Sequence, residues 1–152
     1  YGPGFQPHYE LVVTGSTTLT DVSKNKFGRK IKFVTDKFKR EVIFRDVEHA
    51  YAQSKLGFNK SAVILAGSVV EELLRLYLSS KNIIPKKNSF ECYIDTCEEN
   101  GLLKSVIHKL SDSIRYFRNL VHLEKETEEK HSISKSAAMW AVASIFMIVN
   151  DF

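Results

Sequence analysis

The spacing of hydrophobic residues becomes helical near residue 43 and stays helical to the end of the chain. It predicts helices over residues 44–56, 62–78, 90–99, 103–123 and 134–150. The second of these is the central one, because apolar residues recur along it at three- and four-residue spacing, and Asn59 offers an N-cap before it. Glu71 within it is expected to pair with Arg75 at the i,i+4 spacing. The pattern therefore predicts an all-α bundle of four to five helices.

The last predicted helix is apolar on almost every side between residues 137 and 149. This run is well short of the roughly 20 residues that a membrane-spanning helix needs, so no membrane partner is expected. A helix with no polar face must be covered, either by the bundle or by a second copy of the chain.

The first 42 residues follow a different pattern. Two short runs, residues 9–14 and 30–35, are rich in β-favouring residues and are separated by turn-forming residues. They predict a small hairpin or a pair of edge strands. We therefore divide the chain into a basic, β-prone N-terminal segment over residues 1–42 and a helical bundle over residues 43–152.

The net charge of +4 is unevenly distributed. Eight basic residues and one acidic residue lie between positions 24 and 40, with three phenylalanines interleaved. Clustered cations with aromatic rings suit phosphate contact and base stacking, as in an RNA-binding arm. The candidate RNA contacts are Lys30, Lys32, Lys37, Lys39 and Arg40. The alternative interpretation is a solvated edge strand whose lysines prevent aggregation.

Several kinds of site are not expected. Cys92 and Cys97 lie five residues apart on a predicted helix, which is poor geometry for a disulfide and indicates reduced thiols in a cytoplasmic protein. The five histidines lack the partner spacing of a zinc or iron site. No glycine-rich nucleotide-binding loop occurs. We therefore expect neither a metal nor a cofactor.

The strongest candidate site lies at residues 114–122. On a helix, the polar residues Arg115, Arg118, Asn119 and His122 share one arc, while apolar residues fill the opposite half. The polar arc carries two fixed cations, an amide and an imidazole, with no carboxylate to neutralise them. It therefore predicts an anion site, for which phosphate is the natural ligand, although a solvated helix face is the alternative interpretation.

These residues fit metal-free cleavage of RNA. His122 has an ordinary pKa near neutrality and suits a general base or acid. Arg115 or Arg118 would clamp the phosphate and stabilise the transition state, and Asn119 would orient the ribose or the phosphate. Because one imidazole cannot be base and acid in the same turnover, the mechanism predicts a symmetric dimer with two such sites.

Residues 115–122 also resemble the signature of the HEPN-domain family, an arginine and a histidine with four to six residues between them. Arg115 and His122, with six residues between them, fit that spacing. Residues 66–75 resemble the family's helix in which a small-residue stretch leads to Glu-x-x-Leu, and residues 90–102 resemble the short helix before the signature. Where the family places a proline after the histidine, this chain has Leu123. The resemblance covers about residues 44–152.

The resemblance implies a dimeric helical bundle that acts as a metal-independent endoribonuclease in prokaryotic toxin–antitoxin or phage-defence systems, with an antitoxin as a further partner. A second hypothesis is a non-catalytic module of the same fold that binds nucleic acid, a nucleotide or a partner protein. A third is a structural oligomerisation domain, and the sequence leaves all three open.

Overall fold

The computed structural model describes residues 21–107 and 132–152. Five helices lie in these ranges: α1 (Asp21–Lys30), α2 (Lys37–Leu56), α3 (Asn59–Ser80), α4 (Phe90–Glu99) and α5 (Lys135–Asp151). Residues 104–107 are also helical, and the described ranges contain no strand. The all-α prediction is therefore confirmed.

Helix α3 is the centre of the bundle and packs against α2, α4 and α5. Leu73, Leu74 and Leu78 are completely buried along it, and each contributes about 1.5–3 kcal/mol by leaving water. The small residues Ala62 and Ala66 are also buried, and they let neighbouring helices approach closely. The sequence correctly identified this helix as the core of the fold.

Three helix ends are closed by residues that favour capping positions. Ser89 and Ser134 cap α4 and α5, each accepting a hydrogen bond from the backbone N–H three residues later. Gly57 ends α2 in a left-handed conformation, with φ of 86°. Asn59 does not act as the predicted N-cap. It is the first residue of α3, and its amide donates instead to the carbonyl of Ile133 at 3.1 Å.

Helix α5 is covered within this single chain. Residues 141–146 are all buried, so that every side of the helix meets protein. Of the two coverings that the sequence left open, the bundle itself is the one observed, and the apolar surface of α5 gives no support to a dimer. No helix in the described ranges is both long and apolar enough to span a membrane.

The strand predicted over residues 30–35 is wrong. This segment contains the end of α1 and the turn that follows it. Phe27, Ile31 and Val34 lie four and three residues apart, and all three are buried, because the turn continues the helical spacing of α1 onto the core. The other predicted strand, residues 9–14, lies outside the described residues.

Helix α2 begins at Lys37 and crosses the boundary drawn between residues 42 and 43. Asp36 caps it by accepting a hydrogen bond from the backbone N–H of Lys39. Helix α1 packs on the same bundle, where the ring of Phe27 meets the rings of Phe44 and Phe146 at centroid distances of 5.6 and 5.8 Å. Residues 21–42 thus belong to the core that the remaining helices form.

Candidate functional site

The four predicted catalytic residues, Arg115, Arg118, Asn119 and His122, lie within residues 108–131, outside the described residues. The sequence leading into them is anchored in the core, because Val106 and Ile107 are both buried. The helix predicted from residue 103 is helical over 104–107, while Leu103 itself has a left-handed φ of 54°.

The five candidate RNA contacts divide into two groups. Lys30, Lys32 and Lys37 are exposed. The Lys39 ammonium donates to Glu72 Oε2 at 2.9 Å and links α2 to α3. The Arg40 guanidinium donates to three backbone carbonyls at the end of α1 and in the next turn. Three of the five cations are therefore presented to solvent, and the other two hold the fold together.

Two of the three phenylalanines interleaved with these cations pack inside the bundle. Phe27 is buried, and Phe33 lies edge-on to Tyr77 and Phe152 at 5.4 and 4.8 Å between ring centroids. Phe38 is different, since 73% of its surface is exposed. It is the one member of the trio in a position to stack on a base.

A second candidate site, which the sequence did not predict, lies at the C-terminal end of α3. It is an open cleft of about 490 Å³ between that helix end, the loop after it and α4. The lining residues are Arg75, Ser79, Asn82, Ile83, Ile84, Pro85, Asn88 and Tyr93.

A tight turn at the end of α3 forms one side of this cleft. Asn82 adopts the left-handed conformation with φ of 58°, which asparagine tolerates better than most residues. Its N–H donates to the Ser79 carbonyl, and the N–H of Ile83 donates to the Leu78 carbonyl, both at 3.0 Å. This pair of bonds is the Schellman arrangement, which fixes the direction of the chain as it leaves the helix.

Arg75 is held in a defined orientation inside the cleft. Its Nε donates to Glu72 Oε1 at 2.5 Å and its Nη2 donates to Glu72 Oε2 at 2.9 Å, so Glu72 is observed where the sequence suggested Glu71. The hydrogen bond from Arg75 lowers the pKa of Glu72, although burial of this carboxyl acts in the opposite direction. The same bond raises the pKa of Arg75, so the guanidinium stays charged.

Tyr93 forms part of the opposite wall. Only 3% of its surface is exposed, and its hydroxyl has no hydrogen-bond partner among the described residues. Burial raises the pKa of Tyr93, so the phenol keeps its proton at neutral pH and is able to donate it. A signal for this site was present in the sequence, because Arg75, Ser79 and Asn82 are spaced four and three residues apart and so lie on one side of α3 and its cap.

No family model, curated protein or solved structure matches this chain. In the part of the chain that the structure describes, no group of three His, Cys, Asp or Glu side chains is placed to hold a metal ion. The function is therefore inferred from the chain's own residues.

Proposed function

We propose that this chain is a HEPN-like domain that cleaves RNA without a metal ion, as a cytoplasmic dimer of the prokaryotic toxin or phage-defence type. The observation that carries the proposal is the spacing of Arg115, Arg118, Asn119 and His122. On the helix predicted from the sequence, these residues would share one arc and provide two cations, an amide and an imidazole with no carboxylate among them. Support for the bundle comes from the all-α architecture of the described helices.

The chemistry needs a base, an acid and stabilisation of negative charge. One His122 removes the proton of a ribose 2′-hydroxyl, and the resulting oxygen attacks the adjacent phosphorus. The bond from phosphorus to the 5′-oxygen breaks, and that oxygen takes a proton from the partner's His122. Arg115 and Arg118 stabilise the charge on the phosphorane, and Asn119 orients the phosphate or the ribose. The products are a 2′,3′-cyclic phosphate and a free 5′-hydroxyl.

The proposed dimer rests on this need for two imidazoles. The apolar surface of α5 adds nothing to it, because that surface is covered within one chain. In the proposal, the helices that carry Arg115 and His122 face each other across a two-fold axis, so that each phosphate meets both imidazoles.

The exposed cations of the N-terminal region extend the proposed RNA surface. Lys30, Lys32 and Lys37 are available for phosphate contacts, which supply affinity without sequence preference. The exposed ring of Phe38 is available for stacking on an unpaired base. Lys39 and Arg40 contribute to RNA binding indirectly, since they hold α1 and α3 against α2.

The second candidate function is a non-catalytic module that binds RNA, a nucleotide or a partner protein such as an antitoxin. It is favoured by Leu123, which occupies the position where the resembled family has a proline. The exposed lysines that would carry RNA binding do not require catalysis by His122. The two functions differ in one measurable respect, which is the turnover of RNA.

The test is incubation of the purified chain with mixed RNA in EDTA. His122→Ala is the test variant, and His49→Ala is its matched control, because His49 is an exposed histidine on α2 outside the proposed site. We expect cleavage by the wild type and by His49→Ala, and a loss of at least 100-fold in the rate for His122→Ala.

Three outcomes are informative. Cleavage that is lost only in His122→Ala supports the nuclease. Cleavage that persists in His122→Ala identifies a contaminant or another site and overturns the proposal. Intact RNA in every reaction, with a salt-dependent gel shift by the wild type, overturns catalysis and establishes the binding module instead.

A further inference from the structure

The cleft at the end of α3 combines a fixed cation with several polar side chains. Its lining contains one formally charged side chain, Arg75, and no carboxylate. The side chains of Ser79, Asn82, Asn88 and Tyr93 make no hydrogen bonds to described residues, although all four line the same space. Their donors are therefore available to a ligand.

Neighbouring residues fix the orientation of the Arg75 side chain. Glu72 occupies its Nε and one hydrogen of Nη2, which leaves the Nη1 donors for another acceptor. Glu72 is shared, because the Lys39 ammonium also donates to its Oε2. The Lys39–Glu72–Arg75 group thus carries one net positive charge while the orientation of the guanidinium is fixed, a combination suited to recognising an oxyanion.

Tyr93 is the second observation that points to a ligand. Only 3% of the surface of Tyr93 is exposed, its hydroxyl borders the open cleft, and no hydrogen bond joins that hydroxyl to a described residue. An oxygen of a bound ligand placed between Arg75 and Tyr93 would satisfy the hydroxyl. The amides of Asn82 and Asn88 add donors from the loop side.

The remaining wall of the cleft is apolar. Ile83, Ile84 and Pro85 follow the turn consecutively, and Ile84 is 91% exposed, which is unusual for a large β-branched side chain. A ligand with an apolar or aromatic body would cover part of this surface. The cleft volume of about 490 Å³ lies within the range of small-molecule sites.

We infer that this cleft is a binding site for a small organic oxyanion, a carboxylate or phosphate group attached to an apolar or aromatic body. The oxyanion accepts hydrogen bonds from Arg75 and Tyr93, and the body lies against Ile83, Ile84 and Pro85. The cleft uses none of the residues Arg115, Arg118, Asn119 and His122, and ligand binding to it does not depend on RNA cleavage.

The test is a titration of the ¹⁵N-labelled chain followed by amide NMR shifts. The probes are phenyl phosphate, benzoate, inorganic phosphate and the neutral benzyl alcohol. We expect saturable shifts of the amides of Asn82, Ile83 and Asn88 with phenyl phosphate or benzoate, and the stronger of the two identifies the oxyanion. Inorganic phosphate and benzyl alcohol should each bind at least tenfold more weakly, because inorganic phosphate lacks the apolar body and benzyl alcohol lacks the negative charge.

Variants assign the binding to named side chains. Arg75→Gln should reduce the affinity for the tighter-binding probe at least tenfold. Tyr93→Phe, which keeps the ring in place, should reduce that affinity severalfold. Arg45→Gln is the matched control, because Arg45 is an exposed arginine paired with Asp46 on α2, and it should leave the affinity unchanged.

The unperturbed amide spectrum outside the cleft verifies that each variant is folded. The inference is overturned if neither organic oxyanion gives saturable shifts at these amides. It is also overturned if Arg75→Gln binds as tightly as Arg45→Gln, or if benzyl alcohol or inorganic phosphate binds as well as the organic oxyanions.

Discussion

Replacing Arg40 by methionine should destabilise the protein by removing the bonds that join α1 to α2. The guanidinium donates to the carbonyls of Gly28, Ile31 and Val34 at 3.0, 2.8 and 3.2 Å. Each such bond contributes about 1 kcal/mol net, and methionine keeps the aliphatic packing. Because two of the three bonds share the Nη1 atom, we expect a loss of about 2–3 kcal/mol in the free energy of unfolding. For a chain of this size that corresponds to a decrease in Tm of about 4–12 °C.

Urea unfolding followed by circular dichroism measures this loss. Arg45→Met is the matched control, because Arg45 lies on the same helix and makes an exposed ion pair, which contributes about 0–1 kcal/mol. Arg40→Lys should recover less than half of the loss, since an ammonium lacks the planar fork that reaches three carbonyls. Equal stability of Arg40→Met and Arg45→Met would refute the assigned role of Arg40 as the link between the two helices.

Three further predictions concern single side chains of the bundle. Because the pKa of Glu72 lies below its ordinary value of 4.5, its charge stabilises the fold above about pH 4.5, and that contribution is lost as pH falls further. In urea unfolding, Glu72→Gln should therefore lose more free energy of unfolding, relative to the wild type, at pH 7 than at pH 3. An equal loss at both pH values would contradict this. Burial raises the pKa of Cys97 to about 12. At pH 8 a disulfide reagent should therefore modify the half-buried Cys92 in the native chain and modify Cys97 only in denaturant. Rapid modification of both thiols in the native chain would contradict this. Leu73→Ala should cost about 2–5 kcal/mol as a cavity in the core, against less than about 0.5 kcal/mol for the exposed Leu56→Ala, and similar losses would contradict the burial of Leu73.

The bundle was largely predictable because the spacing of hydrophobic residues and the residues at helix ends determine where helices form. Helix α4 was predicted over residues 90–99, which are its observed bounds. The three- and four-residue spacing of apolar residues along α3 predicted its central place in the bundle, which is observed.

The strand predicted over residues 30–35 was wrong because it rested on local composition alone. Residues 30–35 contain β-branched and aromatic residues, whose strand propensity is weak evidence beside tertiary packing. The decisive contacts come from outside the segment: Arg40 closes the turn from nine and six residues away, and Phe27 meets Phe146 in the last helix. The β-favouring composition of residues 30–35 carries no information about either contact.

The two candidate sites were predictable to different degrees. The Arg115–His122 face lies within one predicted helix, so its residues could be grouped from spacing alone. The cleft brings Tyr93 of α4 to Arg75 of α3, and that juxtaposition depends on how the chain turns at Asn82. Similarly, sequence spacing proposed Glu71 for Arg75, whereas Glu72 is observed, because i,i+3 and i,i+4 partners compete on every helix.

The most direct test of the proposed function is whether cleavage in EDTA requires the ribose 2′-hydroxyl. The substrate is a single RNA strand that the chain cleaves, compared with the same strand carrying a 2′-O-methyl group on the nucleotide before the scissile phosphate. We predict that the unmodified strand yields a 2′,3′-cyclic phosphate and a 5′-hydroxyl, and that the modified strand is not cut there. Cleavage of the modified strand at the same phosphate, or no cleavage of RNA in EDTA, would contradict the metal-free mechanism assigned to His122.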